Sequence, residues 1–307
     1  NGPLLRGFVL QLAAHNQLET SFLDWLETHV LFCSSLVDRI VTNASAEAVG
    51  ALPYTDPLAI QTEPYRLWAI EGNAAVREIL GFAAAGAGVI VADDIAYYRE
   101  RKLRLLNGTH TISVCLAFLK GFDTVYQMMQ DAETAAFVRQ VMMDEIAPSV
   151  PIGDAADLRI FAEEVLDRFA NPNIVHPLIN ITLQATSKMK MRNVPTLRRF
   201  YEKFAKTPAC MARGFAAYVL FTKPVRQENG VFYGERNGTA YPIQDDAAAY
   251  FHAAWQRHGD DYAALATEVC AQTNLWDYDL TTLPGFVEEV VAEMKRLPNQ
   301  KIDSVTV

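Results

Sequence analysis

The chain has 307 residues, 50% hydrophobic and 21% charged, with only 16 Gly and 14 Pro, which supplies a large core and excludes a disordered or collagen-like chain. Lys plus Arg number 27 against 36 Asp plus Glu, a net charge of −9, so neither a nucleic acid nor an anionic membrane surface is expected as a partner. The longest run free of charged and strongly polar residues, Ile79 to Ala92, is too short and too rich in Gly and Ala for a membrane-spanning helix.

Along the chain the 3.6-residue apolar period predominates. The first residues, Asn1-Gly2-Pro3-Leu4-Leu5-Arg6, carry no basic segment followed by an apolar one, so no export signal is read and the start looks internal. Helices are predicted over Ser21–Val41, Ala75–Phe82, Lys102–Gln130, Asp131–Glu145, Asp154–Ala170, His176–Met189, Thr196–Phe204, Cys210–Phe221, Asp246–Arg257, Asp261–Gln272 and Gly285–Arg296. Pro148, Pro151, Pro172, Pro208 and Pro284 punctuate them, and Pro195 suits a first helical turn. One β-hairpin is predicted where Val231-Phe232-Tyr233 and Thr239-Ala240-Tyr241 flank Asn237-Gly238. Val89-Ile90-Val91 is a short strand or buried apolar chain. With no repeat and no linker, the expected fold class is mainly α: one multi-helical domain over residues 1–307 with a single small hairpin.

Four cysteines, at 33, 115, 210 and 270, form no CxxC pair, which indicates reduced thiols and a cytoplasmic setting. With no HExxH among six scattered histidines, no metal is expected. The glycines at 81, 86 and 88 precede an apolar segment instead of following a strand, so a close-packed turn is favoured over a dinucleotide loop.

Chemistry concentrates in Lys102-Leu-Arg-Leu-Leu-Asn107-Gly-Thr-His110. At ~100° per residue of an α-helix, Asn107 lies ~140° and His110 ~80° around from Lys102, so the three can share an arc. A lysine with a lowered pKa can exchange a proton at neutral pH, while an amide and an imidazole hydrogen-bond a developing alkoxide. The plain alternative is a solvated lysine, a polar helix residue and a satisfied histidine.

The stretch YYRERKLRLLNGTHT (Tyr97 to Thr111), with its Lys-x4-Asn-x2-His spacing, resembles the signature of the mannitol dehydrogenase family of polyol-specific long-chain dehydrogenases. FCSSLVDRIV (32–41), EPYRLWAIEG (63–72) and RFANPNIVHPLINITLQATSKMKMRNVPTL (168–197) follow in the family's order and spacing. The resemblance implies an N-terminal Rossmann domain that binds NAD and a mostly helical catalytic domain. This chain resembles the second alone, so the Rossmann domain is expected to be a separate partner outside it, carrying NAD, and the chain by itself is expected to be inactive.

By position, the resemblance makes Lys102 the general acid and base. Asn107 polarises the carbonyl oxygen with a second asparagine, for which Asn1 is the candidate, and His110 and Asp38 bind substrate hydroxyls or orient the lysine. For Asp38 the alternative is an ion pair with Arg39 or a helix-end role. Mannitol-type members carry Asp and Arg where this chain has His176 and Asn180, a departure that resembles the hexuronate branch interconverting D-tagaturonate and D-altronate. The substrate carboxylate then needs cations, for which Lys188, Lys190, Arg192 and Arg66 are candidates; Lys188, Lys190 and Arg192 share a parity that would line one side of an extended segment. Fructuronate reductase or a mannitol-type dehydrogenase is the nearest alternative, and a non-catalytic helical assembly or regulatory module the alternative of another class.

Overall fold

The computed structural model describes residues 1–86 and 88–299. Two units divide between Glu100 and Arg101.

The first unit opens with α1 (Gly2–His15), whose N-terminus is capped by Asn1: its Oδ1 accepts the Gly2 N–H at 3.0 Å. The same Oδ1 accepts the Ser35 N–H at 3.0 Å, and Nδ2 donates to the Ser35 carbonyl at 3.3 Å, so one amide ties the helix start to the following strand. Gly2 is required there, since a Cβ would stand 2.6 Å from the Phe32 carbonyl oxygen. After α2 (Thr20–His29) come β1 (Ser35–Asp38), β2 (Val41–Asn43), α3 (Ala46–Gly50), β3 (Ile60–Thr62), β4 (Leu67–Glu71), α4 (Ala74–Ile79), β5 (Val89–Ala92) and α5 (Ala96–Arg101). A three-stranded sheet of order β1-β4-β5 pairs β1 antiparallel and β5 parallel to β4, with Asp38 opposite Leu67 and Trp68 opposite Val89. Strands β2 and β3 form a separate antiparallel pair. Leu67, Ala69, Ile70 and Val76 make its buried core.

This unit corrects the expected fold class. The single helical domain with one hairpin is replaced by an α/β unit followed by a helical one. The helix predicted over 21–41 stops at His29, because residues 35–38 exchange ladder hydrogen bonds with β4, a pairing across some thirty residues that no local period can signal. Helix α1 had no counterpart in the periodic reading: Leu4, Leu5, Phe8 and Leu12 are all exposed. Val89-Ile90-Val91 is a strand. Gly86 and Gly88 turn the chain at positive φ; a Cβ on Gly88 would meet the Arg66 carbonyl oxygen at 2.4 Å, and Ala87 lies outside the described residues.

The second unit begins with a π-helical segment, Lys102–Gly108, running directly into α6 (Thr109–Leu119). Then come α7 (Val125–Gln130), α8 (Ala132–Gln140) with a second π segment at Val141–Ile146, α9 (Ala155–Phe169), α10 (Leu178–Thr182), α11 (Ala185–Arg192), α12 (Val194–Phe204) and α13 (Ala209–Phe221). A three-stranded antiparallel sheet, β6 (Arg226–Glu228), β7 (Val231–Arg236) and β8 (Thr239–Ile243), interrupts the helices before α14 (Ala248–His258), α15 (Tyr262–Cys270), α16 (Thr273–Trp276) and α17 (Phe286–Arg296). The predicted hairpin turns at Asn237 and Gly238, both at positive φ as a two-residue turn requires, and β6 adds a strand to it.

Helix α6 is buried from Thr109 through Phe118 and packs on α13, where Gly214 lets the backbones meet: a Cβ there would stand 2.3 Å from the Ile112 carbonyl oxygen. The N-terminus of α13 is capped by buried Glu145 of the second π segment, which accepts the Cys210 and Met211 N–H groups at 2.8 and 2.7 Å. Burial pushes the Cys210 and Cys270 thiols up to about 12, leaving them protonated and inert. No helix among the described residues is long and apolar enough to cross a membrane.

Candidate active site

The motif residues fall on the π segment. Its i→i+5 pattern is rare and recurs at functional sites, and it alters the geometry expected of an α-helix. Because its turn is wider, residues five apart are closer in rotation about the axis than the ~140° of an α-helix, so Asn107 stands nearer the face of Lys102 than the α-helical reading places it. Both are half-buried, whereas Arg104, Leu105 and Leu106 between them are buried.

The π turn is locked to the C-terminal end of α11. Arg104 donates Nη1 to the Met191 and Arg192 carbonyls at 2.8 and 2.9 Å, satisfying acceptors that a helix end leaves open. Asn193 Nδ2 donates to the Gly108 carbonyl at 3.0 Å. Thr111 Oγ1 donates to the Asn107 carbonyl at 2.8 Å and accepts from Arg192 Nη1 at 3.1 Å. Four side chains thus fix the backbone that carries Lys102 and Asn107.

One turn further, His110 lies in a nest of rings and cations. Its imidazole stacks on Phe169 with centroids 3.9 Å apart and planes 9° from parallel, and meets His176 edge-on at 5.4 Å. His176 is placed by the pairing of its flanks with α7: its carbonyl accepts the Val125 N–H at 3.0 Å, and Leu178 N–H donates to Asp123 at 2.8 Å. The predicted helix over 176–189 is broken at Gln184, which adopts the left-handed region. Its side chain exchanges two hydrogen bonds with Asp246, so tertiary contacts hold the break. Helix α11 then presents Lys188 and Arg192 four residues apart on one face.

Lys188 Nζ donates to the Ile181 carbonyl at 2.9 Å. Among the described residues neither Lys188 nor Arg192 has a carboxylate within ion-pair distance. Lys190, half a turn round, pairs instead with Asp277 at 2.8 Å, so the extended-segment reading of 188, 190 and 192 gives way to a helix that separates them. Asn180 is exposed on α10. Asp38, buried at the end of β1, Asn1, whose amide is taken up in capping, and exposed Arg66 belong to the first unit.

Burial, reinforced by His176, Arg192, Arg168 and Lys188, holds His110 well below the usual imidazole range. Burial and Lys188 do the same, less strongly, to His176. Burial also lowers Lys188, helped by Arg192, and lowers Arg192 itself. Three buried nitrogens are left without hydrogen-bond partners: His110 Nε2, His176 Nδ1 and Arg192 Nε. Arg168 and Phe169 open the 168–197 motif, and tertiary structure brings them against His110.

Burial disfavours the charged form of both histidines in the folded chain, so below pH ~6.5 the unfolded chain binds more protons and stability rises with pH through that window. Melting temperature is therefore expected to drop between pH 7.5 and 5.5, and a His110→Gln variant to lose part of that slope; an unchanged slope would show that His110 is not buried as a neutral ring.

Residues 94–298 match the mannitol dehydrogenase C-terminal domain and residues 1–80 the mannitol dehydrogenase Rossmann domain. The chain belongs to the mannitol dehydrogenase family. Similar curated proteins are altronate oxidoreductases: that of Klebsiella pneumoniae (strain 342) is 38% identical over 303 residues, covering 96% of this chain and 60% of the relative. That of Yersinia enterocolitica is 35% identical over 306 residues, covering 97% and 61%. The chain therefore spans about three-fifths of the length of these relatives. Among solved structures, Pseudomonas fluorescens mannitol 2-dehydrogenase in ternary complex with NAD and D-mannitol superposes with a TM-score of 0.74 at 26% identity, over 97% of this chain and 58% of that one. A D-sorbitol dehydrogenase (TM-score 0.69, 20% identity, 93% of this chain and 56% of that one) shares the fold.

The match at residues 1–80 overturns the expectation that the Rossmann domain lies wholly outside this chain. The strands were hidden because each has only three to five residues and pairs at long range. The expected inactivity of the chain alone rested on that premise and falls with it.

Proposed function

We propose that the chain serves an NAD-linked oxidoreductase of the hexuronate branch, interconverting D-tagaturonate and D-altronate without a metal in a reducing, cytoplasmic setting. The names of the relatives at 35–38% identity support the substrate, and NAD follows from the family. Among the described residues no cluster of His, Cys, Asp or Glu is suited to hold a metal ion. The glycines at 86 and 88 shape a packed turn ahead of β5.

The observation that carries the reading is the π turn that bears half-buried Lys102 and Asn107 and runs directly into the buried helix that bears His110. Lys102 donates a proton to the carbonyl oxygen as that carbon is reduced, and takes it back in the oxidative direction. The Asn107 amide donates a hydrogen bond to the same oxygen, which gains negative charge in the transition state. His110 and His176 bind substrate hydroxyls, with Asp38, Asn1 and Asn180 as further substrate-side candidates. The test is NADH oxidation with D-tagaturonate, D-fructuronate and D-fructose under one set of conditions. The highest kcat/KM is expected with tagaturonate; a preference for fructose would overturn the uronate assignment.

A further inference from the structure

We propose that Asn229, at the tip of the β6–β7 turn, is a self-modification site: the Gly230 backbone nitrogen attacks its side-chain amide, and the residue becomes aspartate or isoaspartate without an enzyme. The inference is independent of the oxidoreductase reading and concerns a sheet that carries none of the residues assigned to that chemistry.

Asn-Gly is the dipeptide in which this attack is least obstructed, because glycine has no side chain to shield its nitrogen. The chain has four: Asn1-Gly2, Asn107-Gly108, Asn229-Gly230 and Asn237-Gly238. The fold treats them differently. The Asn1 amide is held at both ends by the Ser35 backbone, and buried Gly2 gives its N–H to Asn1 Oδ1 and Ser34 Oγ, at 3.0 and 3.3 Å. Asn107 sits in the π segment with Gly108 buried behind it. Asn229 and Asn237 instead open two-residue turns, both at positive φ and each followed by an exposed glycine at positive φ with open space where a Cβ would stand. In such a turn the closing hydrogen bonds belong to the flanking residues, which leaves the glycine nitrogen available.

The two turns differ in how firmly their strands hold them. β7 and β8 pair at five positions, and Arg236 beside their turn donates to the Phe122 carbonyl at 2.9 Å and pairs with Asp123 at 2.7 Å. β6 is an edge strand of three exposed residues, paired only from Arg226 to Glu228. Opening the β6–β7 turn far enough for the nitrogen to reach the amide carbon breaks fewer contacts, which places Asn229 first.

In the reaction the Gly230 nitrogen bonds to Asn229 Cγ, and its proton passes through water to the departing group. The Cγ–Nδ2 bond breaks, ammonia leaves and a cyclic imide remains. Water opens the ring. Addition at Cγ gives aspartate, and addition at the Asn229 main-chain carbonyl gives isoaspartate, whose backbone runs through the side-chain carbon. Ammonia is exchanged for water, with no oxidation or reduction. Either product sets a new carboxylate next to Glu228, and isoaspartate lengthens the loop, so Glu228 and Val231 no longer close a two-residue turn.

The test is to age the full folded chain in warm, mildly alkaline heavy-oxygen water and map its tryptic peptides by mass spectrometry, scoring isoaspartate by isoaspartyl methylation. Cleavage after Arg226 and Arg236 puts Asn229 and Asn237 on separate peptides. Heavy oxygen is expected first at Asn229, later at Asn237, and at Asn1 and Asn107 at least ~10-fold more slowly than at Asn229, since a site reacts only as often as its turn opens. In urea the four rates should draw together. Asn229→Gly keeps a residue that accepts positive φ and removes the amide, so uptake in that peptide should vanish. Uptake at Asn1 or Asn107 that matches Asn229 in the folded chain overturns the proposal, as does Asn237 converting ahead of Asn229. A folded chain unmodified at Asn229 after the urea-treated chain has converted fully also overturns it, and uptake that persists in Asn229→Gly places the chemistry elsewhere and does the same.

Discussion

Replacing Lys102 with alanine is expected to lower kcat for tagaturonate reduction by ~10²–10⁴-fold, the usual contribution of a positioned proton donor, with a much smaller change in KM. The loss should be steepest in the oxidative direction at neutral pH, where no other base on the π turn can accept the hydroxyl proton. Lys102→Arg should be no better, because a guanidinium keeps the charge but does not release a proton near neutrality. Partial rescue of the alanine variant by small primary amines would point to the missing ammonium itself, as opposed to a collapsed turn. Near-parental turnover in Lys102→Ala would remove the residue from the proton-transfer role and leave Asn107 and His110 as binding groups only.

The second large effect is expected at Phe169. Its ring is 2% exposed at the C-terminal end of α9 and is the platform on which His110 stacks. Truncation to alanine should cost ~3–5 kcal/mol of stability, through lost burial and the cavity left behind. It should also free the imidazole to tilt and admit water to Nε2, raising the pKa of His110 toward that of an exposed imidazole. Phe169→Leu separates the two effects: it keeps most of the volume, so the melting temperature should fall much less, yet it removes the parallel stack. Denaturant unfolding together with NMR titration of the histidine ring protons reads both. A leucine variant with an unshifted His110 titration would show that burial alone, not the aromatic platform, keeps the ring neutral.

What the sequence made legible was chiefly local. Asn237-Gly238 announced its hairpin because a two-residue turn needs positive φ at both positions, and Asn and Gly supply it cheaply. Lys102, Asn107 and His110 stood out by spacing and family resemblance. The features that escaped depend on partners far along the chain. Cys33 to Asp38 continues the apolar period of α2, and only the ladder with Leu67–Ile70 converts its end into a strand. Lys188, Lys190 and Arg192 share a parity, but Gln184, pinned by Asp246 and Gln244, starts a new helix before them and turns Lys190 toward Asp277. The π segment was invisible for a different reason: its residues satisfy an α-helical pattern equally well, and its wider turn is stabilised by Arg104 and Asn193 bonding to α11. The cation cluster was legible as residue types, while its three unsatisfied nitrogens emerge only when α6, α9, α11 and the segment before α10 converge.

A wide helical turn is, in terms of chain length, a one-residue insertion absorbed without breaking the helix. Downstream of Lys102–Gly108 the helix therefore keeps the phase it would have without that residue. Deleting one position between Leu103 and Leu106 would let the segment relax to ordinary α geometry and leave α6 seated on α13, while changing the spacing and rotation between Lys102 and Asn107. The pairing of acid with amide and the seating of the buried helix are thus set separately at this turn. A length variant would alter the site and keep the core in register.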